Sequence, residues 1–342
     1  MTMKRMMNAC TTTACFCMLF TGVLDVLAYA DDPVLNDPET SVWHFADVPE
    51  GVAVLTRNDD FVKRLSPFDR SARLKTSRVV TEQQYLDFVA SCVKPWNDSE
   101  RQLLQPLLKE ISELVQQRKI TVPDRITLVK TNGSEEGQAP YTRGTAIVIP
   151  GQRLNTATDK LKSMLLHELF HILSRADDSL RDDLYALIGF QHCGEVKFSS
   201  ELAARKLTNP DAPVIEHCIK VRVDQRDVWA MPILYASQEK YDEQRGGQFF
   251  DYLQFRLLVI QRDESTGRII QADPEAEPEL VHTVNAGGFS EQIGQNTGYI
   301  IHPDEILADN FSFWMLERTD LPSPKIIQQM QEIFARRAVA RP

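Results

Sequence analysis

Apolar positions along the chain recur first with helical and then with strand spacing, which predicts an α+β fold. Thr81 stands as an N-cap before a helical run, and residues 97–100 open a longer helix. The apolar positions of that longer helix are three or four residues apart, as a helix with one buried face requires. Residues 126–129 and 145–149 are short and rich in β-branched side chains, so they predict two strands.

The pattern changes again after these strands. Residues 158–175 carry one apolar stripe at helical spacing and predict an amphipathic helix. Residues from about 190 to 298 have a mixed pattern, with strand-like runs at 228–235 and 252–260. Residues 263–279 are rich in acids and prolines, which indicates an exposed loop.

Two helices are expected at the C-terminal end. Pro303 is a favoured first helical residue, and Asp304 and Glu305 place negative charge in the first turn, where the helix dipole favours it. A second helix begins near Pro324 and repeats apolar residues at helical spacing. The predicted strands therefore lie before and after the amphipathic helix, and the chain ends in two helices.

The composition is that of an ordinary globular protein, with 43% hydrophobic and 25% charged residues among 342. The net charge of −10 argues against a nucleic-acid partner, because such proteins need basic patches to offset the phosphates. The patterns divide the chain into a mainly helical region at 31–120 and a second region at 121–342. The second region carries the central strands and the C-terminal helices, and it includes a β-containing insertion at about 190–298.

The N-terminus has the order of a cleaved secretory signal. A short positive region is followed by a mostly apolar run from about residue 14 to 27, and then by Ala28-Tyr29-Ala30. The apolar run is too short to span a bilayer comfortably. We therefore expect residues 1–30 to be a signal peptide cleaved after Ala30. This predicts an exported protein, periplasmic or secreted, with no stable membrane span after cleavage.

Cleavage would leave Cys92, Cys193 and Cys218 in the mature chain. An odd number of cysteines in an oxidising compartment predicts one disulfide and one buried thiol. Cys193 and Cys218 are the expected pair, since the loop between them closes at modest entropic cost. Each of these two follows a histidine, His192 or His217, so a second metal site is the alternative.

The chemistry is carried by His167-Glu168-Leu169-Phe170-His171 on the predicted amphipathic helix. Residues four apart share a helix face, so both imidazoles can reach one Zn²⁺ at about 2.0–2.1 Å. Glu168 stands beside the metal position, where it can take a proton from an activated water. Such side chains are costly to bury without a partner, and a metal is the simplest one. The motif predicts a zinc site with His167 and His171 as ligands and Glu168 as general base.

A catalytic zinc usually has three protein ligands and one open position, so a third ligand is needed. Glu305 and Asp309 lie one turn apart on the helix expected to begin at Pro303. Glu305 can ligate the metal. Asp309 can accept the hydrogen bond from the free ring N–H of a ligating histidine, which fixes the tautomer and aim of that ring.

The combination of HExxH with ExxxD on a later helix resembles the gluzincins, the thermolysin-like clan of zinc metallopeptidases. The resemblance covers the two motif helices. It implies a zincin-like catalytic domain with a small mixed sheet, an HExxH active-site helix and C-terminal helices. It also implies Zn²⁺ as the cofactor, Glu168 as the base, Glu305 as the third ligand and a peptide or protein substrate. The chain between His171 and Glu305 is much longer than in compact members of the clan, so either an insertion of roughly a hundred residues lies between the two helices or the third ligand is another residue.

Asp177 is the alternative third ligand, because it follows His171 closely. Its placement resembles the metzincin arrangement. That arrangement has a glycine where this chain has Ser174, and without the glycine the turn towards the metal is harder to make. Glu305 is therefore the preferred ligand.

A donor beside the developing oxyanion should stabilise the transition state. Tyr299 and His302 are the candidates, because both precede the Glu305 helix closely. Residues 141–144, which lead into the strand before the motif helix, are placed like the edge strand that pairs with a peptide in zincins. Arg143 in that segment is either a contact for a substrate carboxylate or an ordinary surface residue.

The sequence thus predicts an exported zinc metallopeptidase. A zincin-like binding module is a second class, against which the presence of Glu168 argues. A hydrolase for a non-peptide amide or ester is a third, since the same activated water would serve it. A structural zinc site would normally use four ligands and rely on cysteine, and no cysteine stands near this motif.

Overall fold

The computed structural model describes residues 41–273 and 275–340. The expected signal peptide at residues 1–30 and its cleavage site after Ala30 lie outside the described residues. Within the described part of the chain, no helix combines the length and the apolar character needed to cross a membrane. The described residues form a mixed α+β structure, as the sequence predicts.

The described chain begins with a short strand and a set of helices. These elements are β1 (Trp43–Phe45), α1 (Val48–Leu55), α2 (Asp60–Arg64), α3 (Pro67–Arg73), α4 (Glu82–Cys92) and α5 (Asp98–Gln117). The predicted N-cap is confirmed, since the side chain of Thr81 accepts a hydrogen bond from the backbone N–H of Gln84. Asn97 caps α5 in the same way through the N–H of Glu100. Local polar side chains therefore fix where these two helices begin.

A small mixed sheet follows, made of β1 with β2 (Ile126–Thr131), β3 (Tyr141–Arg143) and β4 (Ala146–Pro150). Its order is β1-β2-β4-β3, with β1, β2 and β4 parallel and β3 antiparallel to β4. The side chains of β4 are all buried, which matches their apolar sequence. The two predicted strands are thus confirmed, and Tyr141–Arg143 supplies the antiparallel edge strand.

The motif helix packs between this sheet and the C-terminal helices. The elements are α6 (Thr158–Ala176), α7 (Asp178–Leu187), α10 (Pro303–Met315) and α11 (Pro324–Ala340). Helix α6 contacts β3, β4, α5, α7 and α10, and its apolar stripe lies in the largest hydrophobic core. The predicted starts at Pro303 and Pro324 are confirmed. The motif helix is thereby fixed on several sides.

A second, antiparallel sheet occupies the region between α7 and α10. Its order is β10-β8-β7-β6-β5, with β9 paired to β8 at one side. The elements of this region are β5 (Phe190–His192), α8 (Ser200–Arg205), β6 (His217–Val223), β7 (Arg226–Ala236), β8 (Leu253–Arg262), β9 (Ile269–Ile270), β10 (Leu280–Val281) and α9 (Phe289–Ile293). Strands β7 and β8 confirm the runs predicted at 228–235 and 252–260. The expected loop at 263–279 contains β9, so that expectation was too simple.

The expected disulfide is not formed. Cys193 and Cys218 are both buried and free. The pairing of β5 with β6 explains why they are close, because His192 is opposite His217 in the register. The prediction that Cys193 and Cys218 lie close together is confirmed, and the prediction of a disulfide between them was wrong.

Candidate metal centre

Helix α6 presents His167, Glu168 and His171 together. The two imidazole rings are 4.8 Å apart between centroids, as expected for side chains one turn apart. His171 and Glu168 are buried, with 0% and 3% of their surfaces exposed, whereas His167 is partly buried. Buried polar side chains on one helix need partners from elsewhere in the fold.

Helix α10 supplies the first of these partners. The Glu305 carboxylate oxygen Oε2 lies 3.1 Å from His167 Nε2 and 3.6 Å from His171 Nε2. Glu305 is in the first turn of α10 and is buried. The ligand atoms of His167, His171 and Glu305 all lie within 4.8 Å of one another. The structure therefore brings together the three residues that the sequence proposed as metal ligands.

The other nitrogen of each ring is held by a second carboxylate of α10. His167 Nδ1 lies 2.9 Å from Asp309 Oδ1, as the sequence reasoning proposed for Asp309. His171 Nδ1 lies 2.6 Å from Asp304 Oδ2. Each carboxylate accepts the Nδ1 proton, which leaves both Nε2 atoms directed at Glu305. The two rings are thus pre-oriented towards one point.

These carboxylates have supporting donors of their own. The Tyr185 hydroxyl on α7 donates to Asp304 Oδ1 at 2.8 Å. The Thr297 hydroxyl donates to Asp309. Tyr185 and Asp304 are both buried, so their contact is protected from water. Sequence reasoning missed Tyr185, which carries no motif. It counted Asp304 only as a first-turn acid.

The electrostatics of the cluster indicate a place for positive charge. Burial lowers the pKa of His167, but its hydrogen bonds to Asp309 and Glu305 outweigh this and raise the pKa to about 10. For Glu305, burial is opposed by the neighbouring histidines, and its pKa is held well below the ordinary value. Burial, and then the charge of Asp211, raise the pKa of Glu168 to about 8. A carboxyl group in that range can exchange protons near neutral pH.

The residues fit a zinc ion by a structural criterion. His171 Nε2 and Glu168 Oε2 are buried atoms for which the described residues provide no hydrogen-bond partner. Orphaned buried polar atoms are rare and usually mark an ion, a water or a catalytic task. Two imidazole nitrogens and a carboxylate are a ligand set typical of catalytic zinc. A cation bound by this set would satisfy His171 Nε2 directly.

Asp177, the alternative third ligand, is directed elsewhere. Its side chain caps α7 by accepting the N–H of Leu180 at 3.0 Å, and it pairs with Arg337 of α11 at 3.0 Å. Among the described residues it belongs to neither group of side chains spaced to hold a metal. The cause is local, because α7 begins directly after Asp177 and needs that side chain at its N-terminus.

The two proposed oxyanion donors differ in placement. The ring of Tyr299 lies 6.4 Å from the ring of His167, and 44% of Tyr299 is exposed. His302 is buried, and its Nδ1 accepts the backbone N–H of Asp304 at 3.1 Å, so it caps α10. Burial lowers the pKa of His302 to about 4, which keeps this acceptor nitrogen unprotonated. Tyr299 is therefore the better placed of the two candidates.

Arg143 is not an exposed surface residue. It is buried and its guanidinium Nε lies 2.8 Å from Asp59 Oδ2. It also donates to the backbone carbonyls of Leu55 and Arg57. The reading of Arg143 as an ordinary surface residue was wrong, because the turn between α1 and α2 covers this part of the edge strand. A contact between Arg143 and a substrate carboxylate stays a prediction.

Two residues of the β-containing region enter the centre without any signal in the sequence. Asn209 Nδ2 donates to Glu305 Oε1 at 2.6 Å. Asp211 forms a second group with Glu168 and His171, in which the ligand atoms again lie within 4.8 Å of one another. Neither lies on a helix or strand, so no periodic pattern could have indicated it.

Comparisons with known protein families, with curated proteins and with solved structures found no match to this chain. The chemistry of the centre is therefore the basis for assigning a function.

Proposed function

We propose that this protein is an exported zinc-dependent peptidase with a zincin-like catalytic region of the gluzincin type. The observation that carries the proposal is the convergence of His167 Nε2, His171 Nε2 and Glu305 Oε2, beside the buried and unpartnered Oε2 of Glu168. This is the ligand set of a catalytic zinc site with a general base next to it. Zn²⁺ is the proposed cofactor, and a peptide or protein is the proposed substrate.

The surrounding residues support hydrolysis rather than metal storage. When bound, zinc would polarise the scissile carbonyl and lower the pKa of a water. Glu168 accepts the proton of that water and later delivers it to the leaving amine. Asp309 and Asp304 hold the ligand rings. Tyr299, partly exposed and near His167, is the proposed donor to the developing oxyanion.

The position of β3 supports a peptide as substrate. It is an antiparallel edge strand, and it contacts the motif helix α6. An extended peptide can pair with the outer edge of such a strand once the side chains that contact it are displaced, and main-chain hydrogen bonds would then set the register of the scissile bond. An amide or ester without a peptide main chain would gain nothing from β3.

Metal analysis of the purified mature chain tests the metal centre. The parent is expected to hold one zinc per chain, and His167→Ala and His171→Ala are each expected to lose it. His192→Ala is the matched control, because this exposed histidine lies on β5 in a different group of side chains. Full zinc occupancy in both motif variants would contradict the proposal.

Hydrolysis by a Glu168→Gln variant tests the chemistry. The variant should keep its zinc and lose about 10²–10⁴-fold in rate, since a general base contributes about that much. Glu135→Gln is the control for removing a buried carboxylate outside the centre. Parallel assays on a peptide mixture and on simple esters separate the substrate classes. Turnover of esters alone would support a zinc hydrolase of the non-peptide class.

A further inference from the structure

A loop of the β-containing region, residues 207–213, reaches into the candidate metal centre. Asn209 donates to the carboxylate of Glu305 at 2.6 Å, on the oxygen that does not face the histidines. Asp211 brings a carboxylate to within 4.8 Å of ligand atoms of both His171 and Glu168. The general base and one metal ligand thus share an acidic neighbour from outside helices α6 and α10.

The same loop occupies the edge of β3. Asp211 Oδ1 accepts the backbone N–H of Thr142 at 2.6 Å and the Thr142 hydroxyl at 2.7 Å. Arg175 donates to the Gly144 carbonyl at 2.8 Å and to the Asp211 carbonyl at 2.8 Å. A peptide that adds to a sheet edge needs such N–H and C=O groups. At this edge, the Thr142 N–H and the Gly144 carbonyl are already paired with the chain's own side chains.

The base of the loop is firmly fixed. Thr208 donates to Asp69 through its backbone N–H at 3.1 Å and its hydroxyl at 2.8 Å. Asp69 is in turn paired with the buried Arg73 at 2.7 Å. The backbone N–H of Leu207 donates to the Leu234 carbonyl on β7. The loop therefore enters the centre from a rigid support, and its position is set by the fold.

A cleft lies next to the loop. Its volume is about 510 Å³, and its lining includes residues 210–214 together with Tyr185, His302 and Asp304. Its volume is in the range of small-molecule sites, about 300–1,000 Å³. His167 and Glu168 are not part of this lining. Displacement of the loop would join the cleft to the face of the centre that carries Glu168.

We propose that Asp211 is an internal ligand, and that its carboxylate takes the open fourth position of the zinc site. Residues 209–213 then occupy the place of a substrate on β3, so the protein is latent until the loop is displaced. The inference rests on the proposed function, because it requires the zinc site. Two ionised carboxylates as close as Asp211 and Glu168 repel each other, and a bound cation would relieve that repulsion. Carboxylate oxygens are ordinary zinc ligands, and four protein ligands close a site to water.

The test uses the full chain loaded with Co²⁺ in place of zinc, because the visible absorption of Co²⁺ reports its ligand number. Acetohydroxamate is the probe for an open metal position. Asp211→Ala should keep one Co²⁺, change the absorption spectrum and bind acetohydroxamate about tenfold or more tightly. That gain follows if the open form of the parent is about 10% populated or less. Asp178→Ala is the control, since this exposed carboxylate lines the same cleft and pairs with Arg181.

Thr142→Val provides a second variant that keeps Asp211. It removes the hydroxyl that holds the carboxylate, so it should tighten acetohydroxamate in the same direction by a smaller factor. If the Co²⁺-loaded parent and Asp211→Ala have the same spectrum and the same affinity for acetohydroxamate, the inference is overturned, but the proposed zinc site is not. Complete loss of Co²⁺ from Asp211→Ala would also overturn it, because a displaceable ligand cannot be essential for binding. Failure of the parent to bind any metal would refute the proposed function itself.

Discussion

Two buried clusters of charged residues in this molecule differ in whether the chain's own side chains satisfy every buried polar atom. In the first, the Arg73 guanidinium lies between Asp69 and Glu136, at 2.7 Å from each, and its side chain is 0% exposed. The acids there are satisfied by the chain's own cation. In the second, around His167 and His171, carboxylates come from two helices and a loop, and two buried atoms have no partner among the described residues. The first cluster is completed by the chain's own cation, whereas we propose that the second is completed by a cation from solution.

The largest expected effects separate the two clusters. His171→Ala should abolish stoichiometric zinc binding, because it removes a ligand, and should leave the apoprotein folded. Arg73→Ala should lower the free energy of unfolding by about 3–5 kcal/mol, because it leaves buried acids uncompensated. It should leave one zinc per folded chain. Metal analysis and urea unfolding of both variants measure these effects. Loss of zinc from fully folded Arg73→Ala would contradict the assignment of separate roles to the two clusters.

The pH dependence of zinc affinity is the next largest effect. The pKa of His167 is raised to about 10, and the pKa of His171 is raised well above its ordinary value, so both rings are protonated at pH 7 without metal. Zinc binds neutral imidazole, so binding should release about two protons. Affinity should therefore rise about 100-fold per pH unit near neutrality, and the contribution of His167 should level off above about pH 10. Calorimetry in buffers of different ionisation enthalpy measures the released protons, and a value near zero would count against protonated ligand rings.

The acids of α10 and the alternative ligand should form a graded series. Glu305→Ala removes a ligand and should lose zinc at concentrations where Asp309→Ala is only partly depleted. Loss of a carboxylate that supports a ligating histidine weakens metal binding by about 10–100-fold. Asp177→Ala should match the parent, because Asp177 caps α7 and pairs with Arg337. Chelator competition measures the series, and strong depletion in Asp177→Ala would restore the alternative ligand.

The smallest effect concerns Tyr185. Tyr185→Phe removes the hydroxyl that donates to Asp304, and a hydrogen bond of this kind is worth about 0.5–1.5 kcal/mol. Zinc affinity should fall by less than about tenfold. Tyr252→Phe is the matched control, since this buried hydroxyl donates to backbone carbonyls of residues 242 and 246 instead. An equal loss of zinc affinity in both variants would show a general effect of stability.

Local features of the structure could be read from the sequence because local interactions produce them. The N-cap at Thr81, the start of α10 at Pro303 and the shared face of His167 and His171 each depend on residues within one turn. Strand β6 could also have been found, since its apolar and charged residues alternate along residues 219–223.

The remaining site residues could not be predicted, because their roles come from contacts across long stretches of sequence. Asp211 meets Thr142 and His171, and Tyr185 meets Asp304, only after the sheets and helices have packed. Asp304 was visible as a helix-start acid, but its hydrogen bond to His171 depends on how α10 lies against α6. Arg143 was misjudged for the same reason, since the turn that buries it comes from the beginning of the described chain.

Helix α10 carries Asp304, Glu305 and Asp309 on a single rigid cylinder. The candidate metal centre therefore depends on the angles at which these three side chains leave the axis of α10. Each residue advances an α-helix by about 100°, so one inserted residue between Glu305 and Asp309 would turn Asp309 away from His167 and leave Glu305 in place. By the same geometry, the number of residues that join α7 to α10 does not change the angular positions of Asp304, Glu305 and Asp309 around the axis of α10. A large sheet can thus be inserted in the sequence between α6 and α10 without changing how the side chains of α10 are arranged around its axis.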